Sequence, residues 1–163
     1  MSKNLFIAEN CPIAILGYQI RDPDNKKVFF SRGSSLGPQC GDCAPIPNIP
    51  VEFGIAYTLP LDFLKVKMIA SQVLFANVTD TPLIDLKLEE THYLQGKELQ
   101  KFSFELGFVP PRTQNTWEHI YQPEFKKDKK FETNASKGPW EVETRMFVAG
   151  KEVMFTKAQL NFQ

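Results

Sequence analysis

The side chains with the most chemical potential in this sequence are two histidines, each close to a glutamate. His92 lies two positions after Glu90, and His119 directly follows Glu118. An imidazole paired with a carboxylate can work as a general acid–base couple, or the pair can be hydrogen-bonded polar residues at strand ends. Catalysis would also need a nucleophile or a metal. The chain contains no G-x-S-x-G, no P-loop and no H-E-x-x-H. Cys40-Gly41-Asp42-Cys43 is a lone C-x-x-C, and the other cysteine is Cys11. Zinc takes four ligands, usually from a second matched pair. A redox pair would open a helix after a strand, whereas this one lies among prolines and glycines. The expectation is no catalytic residue, no metal and no cofactor: not an enzyme.

Composition narrows the classes further. The 163 residues carry 19 basic and 19 acidic side chains, so the net charge is zero and no nucleic-acid footprint is expected. That length supports a single domain, 1–163, with a substantial core. No stretch approaches the ~18 apolar residues of a membrane span. Glu9, Asn10 and Pro12 interrupt the first apolar residues and spoil a secretory leader. Three cysteines point to a reducing cytoplasm, and the sequons at Asn77 and Asn134 are then read as chance.

The elements that must position the histidines are strands. Ile13–Ile20 reads as a buried strand, residues 21–25 as a turn, and Lys27–Phe30 as the returning strand. Ser31–Pro50 is expected to be a loop, as is Gln122–Gly138. Val51, Phe53, Ile55, Tyr57 and Leu59 alternate, and so do Leu64, Val66 and Met68. Ile84, Leu86 and Leu88 share a face that continues through Glu90 and His92. A hairpin turn at Gln95-Gly96-Lys97 leads to Phe102, Phe104, Leu106 and Phe108, again on one face. Pro110-Pro111 should end that strand, and the following Trp117–Tyr121 reads as a rigid, aromatic-tipped loop. Trp140–Val148 and Val153–Phe162 are the last strands, joined by a turn at Ala149-Gly150. Roughly eight or nine strands and no helical layer describe an all-β sandwich or barrel.

Two questions stay open at this level. An unbroken strand would carry the Glu90 carboxylate inward, where an unpartnered charge costs several kcal/mol. Either a bulge turns it out, or the interior is open there and receives a polar ligand group. The 14 phenylalanines either fill a core or line a cavity for an apolar ligand.

Phe102-x-Phe104-x-Leu106-Gly107-Phe108, a proline, and then Asn115-Thr116-Trp117-Glu118-His119-Ile120-Tyr121 resemble the GMP phosphodiesterase delta-subunit superfamily of lipid-binding chaperones. The match is nearest the Unc ("uncoordinated") acyl-binding branch, which Glu90-Thr91-His92-Tyr93, Ile20-Arg21-Asp22 and residues 147–158 also resemble. Trp117 instead matches the prenyl-binding delta subunit. Ser71 stands where that subunit has an arginine, and residues 122–138 are shorter and richer in lysine than the corresponding Unc segment. The resemblance implies an immunoglobulin-like β-sandwich with a hydrophobic lipid-binding pocket between its sheets. It implies a non-enzymatic cytoplasmic chaperone, with a family tendency towards cilia, that takes N-myristoylated cargo and releases it to an Arf-like GTPase in its GTP state. A prenyl-binding chaperone and a filled-core interaction module without lipid are the alternatives. Tyr57 and Glu90 match positions near the pocket entrance, and His92 is placed at that entrance with them. Inward alternation supplies the pocket candidates Phe53, Ile55, Leu64, Val66, Leu86, Leu88, Phe102, Phe104, Leu106, Tyr121, Met146 and Leu160.

Overall fold

The computed structural model describes residues 5–33, 56–122, 137 and 139–162. The expected loops therefore lie largely outside the described residues, as do Phe53 and Ile55. Ten strands form among the described residues: β1 (Leu5–Ile7), β2 (Ile13–Asp22), β3 (Lys27–Gly33), β4 (Ala56–Leu59), β5 (Ile69–Asn77), β6 (Leu83–Leu94), β7 (Lys97–Val109), β8 (Gln114–Tyr121), β9 (Trp140–Val148) and β10 (Lys151–Phe162). The larger sheet runs β1-β10-β9-β6-β7, with β4 also on β10, and the smaller runs β3-β2-β5-β8. The exception to antiparallel pairing is β4, which runs parallel to the end of β10 with Tyr57 opposite Leu160. The chain is an all-β sandwich.

Local chemistry sets the turns. Gln95 (φ 53°) with Gly96 (φ 81°), and Ala149 (φ 50°) with Gly150 (φ 83°), put two consecutive left-handed residues between antiparallel strands. That geometry matches the strand twist in two-residue hairpins. After β2, the Asp22 carboxylate accepts hydrogen bonds from the Asp24 N–H (2.9 Å) and the Asn25 side chain (2.8 Å), which closes the turn into β3. Asn77 is fully buried; its amide donates to the Thr81 carbonyl at 2.8 Å and the Pro110 carbonyl at 3.2 Å. That sequon is therefore occupied by structure.

Three sequence expectations are corrected. Residues 114–121 form strand β8, with Trp117 and His119 buried between exposed Thr116, Glu118 and Ile120. Pro110-Pro111 ends β7 as expected, but the chain turns back into a strand because β8 has the free edge of β5 to pair with. Leu61–Lys65 is a 3-10 turn with Phe63 and Leu64 buried, so the alternation of Leu64, Val66 and Met68 is not a strand face. Phe108 leaves the face of Phe102, Phe104 and Leu106: it is 57% exposed, opposite Ile84 at 47%. Asp85, in the left-handed region at φ 55°, reorients β6 there, so Leu83 and Leu86 point inward while Ile84 points out.

Between the sheets lie two apolar clusters. One gathers Ile20 and Ile69 of the smaller sheet with Leu94, Trp140, Val142 and Leu160 of the larger. The other gathers Val73, Phe75 and Trp117 with Leu86, Leu88 and Met146. We call these the Trp140 end and the Phe75 end. The third cluster, Leu16, Leu74 and Ala76, sits on the opposite face of the smaller sheet.

Candidate functional site

Where the two clusters meet, a cavity of about 100 Å³ opens between the sheets. Its apolar wall includes Ile15, Val73, Leu88, Met146, Met154 and Leu160. Polar side chains reach it from both sheets, and the strand register explains how. On the larger sheet Glu90 pairs with Thr144, and Thr144 with Thr156, giving a transverse row across three strands. On the smaller sheet His119 pairs with Ser71, and Ser71 with Ile20. Glu90, Thr144, Thr156, Ser71 and His119 all line the cavity.

The register of β6 on β7 holds from Leu86 to His92, and its shift falls between His92 and Tyr93. No bulge turns Glu90 outward. It is 7% exposed, and His92 is 3% exposed. They lie in the interior rather than at an open rim, because Trp140 packs against His92 and Phe63 and Phe162 pack against Trp140. The Trp140 indole N–H donates to His92 Nδ1 at 3.2 Å, and His92 Nε2 lies 3.1 Å from Glu90 Oε2. An indole nitrogen is only a donor. Nδ1 must therefore accept, which fixes the Nε2–H tautomer and makes His92 a donor to Glu90. Burial pushes the Glu90 carboxyl upward, but His92, Tyr121 and His119 together outweigh it and hold the group below its usual range. Burial, with the Glu90 charge beside it, raises the Tyr121 hydroxyl well above its ordinary value, so it stays a donor.

His119 is different. Its ring stacks on Phe104, centroids 4.2 Å apart, and meets Trp117 edge-on at 4.5 Å. Burial lowers its pKa to about 4, against the opposing pull of Glu90 and Glu118. The ring is neutral near pH 7, and its Nε2 is buried with no hydrogen-bond partner. Across the same row, Ser71 Oγ donates to the Tyr18 hydroxyl at 2.8 Å.

Of the sequence candidates, Leu88, Tyr121, Met146, Leu160, Glu90 and His92 line the cavity. Leu86 is wholly buried at the Phe75 end, with Phe104 and Leu106 packed against that cluster. Leu64 belongs to the Trp140 end, and Val66 packs against it. Phe102 lies behind the wall, against Tyr121 at 4.4 Å and His92 at 5.5 Å. The backbone of Tyr57 is paired in β4. In the motif on β8, Asn115 donates to Thr113 Oγ1 at 2.8 Å, Thr116 is exposed, and Glu118 is ion-paired with Arg21 outside the sandwich. Only His119 and Tyr121 of that motif reach the cavity; Trp117 is packed against Phe75. Sequence reasoning missed Tyr18, Phe63, Ser71, Thr144, Met154 and Thr156. The alternation of Met154, Thr156, Ala158 and Leu160 was a usable signal, since all four line the cavity. Among the described residues no cluster of His, Cys, Asp or Glu could hold a metal ion, and no helix is long and apolar enough to cross a membrane.

Comparison with known proteins gives a consistent grouping. The family model described as "GMP-PDE, delta subunit" matches residues 8–162. "Protein unc-119" of Caenorhabditis briggsae is 29% identical over 146 residues, covering 89% of this chain and 65% of that protein. "Protein unc-119" of Caenorhabditis elegans is 29% identical over 148 residues, with the same coverage of 89% and 65%. "Protein unc-119 homolog B" of Danio rerio is 37% identical over 68 residues, covering 42% of this chain and 28% of its own. The chain thus spans less than two thirds of the length of these relatives.

Proposed function

The chain belongs to the GMP-PDE delta-subunit family, and we propose that it is a non-catalytic, lipid-binding trafficking chaperone for N-terminally acylated cargo. The observation that carries this reading is the intersheet cavity with one ionised carboxylate in an otherwise largely apolar wall. An apolar pocket with a few convergent polar groups is the usual form of a ligand site. Each methylene transferred from water contributes ~0.8 kcal/mol, so a long acyl chain could supply on the order of 10 kcal/mol. A membrane offers the chain much the same burial. Selectivity then rests on the polar end of the ligand, where Glu90, oriented by His92, accepts cargo N–H groups.

The cavity of about 100 Å³ is smaller than the ~300 Å³ at the lower end of ligand pockets. Binding a long chain therefore requires the sheets to part or the flexible Met146 and Met154 to swing aside. This suits a release mechanism. A partner that prefers the narrow form expels the ligand by reciprocal coupling, and an Arf-like GTPase in its GTP state is the proposed partner, in the cytoplasm and its ciliary extension. The outer edges of β7 and β8 have no strand partner among the described residues and offer such a partner places to add a strand. The same small volume favours the second reading, a filled-core interaction module that binds proteins without lipid.

Fluorescence titration with one peptide in three forms tests these readings. The N-myristoylated form should bind at least tenfold tighter than the unacylated form, and tighter than a peptide farnesylated at its C-terminus. Equal affinity for acylated and unacylated peptides would favour the filled-core module, and a winning farnesyl peptide would favour a prenyl chaperone.

A further inference from the structure

Several polar groups around the cavity are already engaged with one another. His92 is held between Trp140 and Glu90, Tyr121 donates to Glu90, and Ser71 donates to Tyr18. His119 Nε2 has no partner, although the residue is 5% exposed. A buried polar nitrogen left unmatched costs stability. Such a group calls for an explanation, and a ligand group that satisfies it is one. The ring itself is clamped by Phe104 and Trp117, so Nε2 cannot turn away to find a partner of its own.

Glu90 is the other group with spare capacity. A carboxylate offers about four acceptor positions, and His92 and Tyr121 account for two. Glu90 and His119 come from opposite sheets, and each lies within the electrostatic reach of the other. No hydrogen bond joins them directly. The space between them is bounded by an acceptor on one side and an imidazole nitrogen on the other. It lies between the apolar Trp140 and Phe75 ends.

We propose that His119 is the second half of a subsite for a secondary amide, with its Nε2–H donating to the ligand carbonyl while Glu90 accepts the ligand N–H. The ligand class is an apolar chain joined through an amide, with the amide lying at the level of the two polar rows. This rests on the acyl-binding reading and adds to it the residue that reads the carbonyl. A thioether-linked isoprenoid supplies neither the N–H nor the carbonyl, so the subsite discriminates against it at the linkage.

The test uses the whole chain and three ligands with the same peptide and the same fourteen-carbon chain. One is linked by an amide, one by an ester that keeps the carbonyl but loses the N–H, and one by an ether that loses both. For the unaltered protein the ester should bind about tenfold tighter than the ether, the size of one hydrogen bond. In His119→Phe that ester-to-ether preference should vanish while the amide-to-ester preference, which belongs to Glu90, persists. An ester-to-ether ratio unchanged by His119→Phe would overturn the proposal. The ¹⁵N resonance of His119 Nε2 in the unaltered protein gives a readout that needs no variant. It should shift on binding the amide and the ester but not the ether, and an equal shift with all three would also overturn it. If the unaltered protein binds none of the three better than the bare peptide, the acyl-binding reading itself fails, which is a different result.

Discussion

At the scale of single residues, the interior is governed by which side chains remain charged. Glu90 is held below its usual range because its neighbours outweigh its burial, whereas the charges of Glu90 and Glu118 only partly offset the burial of His119. The consequence for pH has a definite sign. The unfolded chain protonates His119 near pH 6.5, but the folded chain does so only at about 4. Between those values the unfolded state binds more protons, so stability falls as pH drops. The lowered Glu90 carboxyl adds a further loss below its ordinary value of 4.5. Thermal melts should show a midpoint that declines between pH 6.5 and 4, and His119→Gln should flatten the upper part of that decline. An unchanged slope in the variant would remove His119 as the cause.

Much of this residue-level arrangement was out of reach of the sequence. Alternation along β6 carried Glu90 and His92 inward correctly, because a period of two needs only local information. It could not reveal that Trp140, 48 positions beyond His92, closes the space above them. Nor could it show that Ser71 and His119 stand side by side, since strand pairing between β5 and β8 is set by the whole fold.

At the scale of elements, the hairpins were legible and the connections were not. Gly96 and Gly150 announce left-handed positions, and both turns form as read. Ala149 also adopts a left-handed conformation, φ 50°, which costs an alanine roughly 1 kcal/mol. Ala149→Asn should therefore stabilise the protein by about 0.5–1 kcal/mol in chemical denaturation, because Asn is favoured at that position of such a turn. A loss of stability would mean that the β9–β10 turn is not of this type. The segment after Pro111 was misread as a loop for a physical reason. Two prolines end one strand, but they say nothing about whether a free sheet edge waits nearby for the next. The reversal at Asp85 was equally invisible, because a left-handed aspartate inside a strand leaves no mark on periodicity.

At the scale of the molecule, the sandwich has a waist. Two apolar ends are separated by a level carrying Glu90, Thr144 and Thr156 on one sheet and Ser71 and His119 on the other. The cavity of about 100 Å³ opens at that level, so the polar row and the space for a ligand coincide.

The same void can be described as a volume that disappears when the chain unfolds. About 100 Å³ per molecule is about 60 mL/mol, comparable to the whole volume change of unfolding in many proteins. Hydrostatic pressure should therefore favour unfolding of the ligand-free protein. An occupant that fills the waist removes that lever. High-pressure fluorescence should show the unfolding midpoint moving to higher pressure when a tight-binding acylated peptide is present, with a smaller volume change. A volume change unaffected by such a peptide would mean that the tail is held somewhere other than between the sheets.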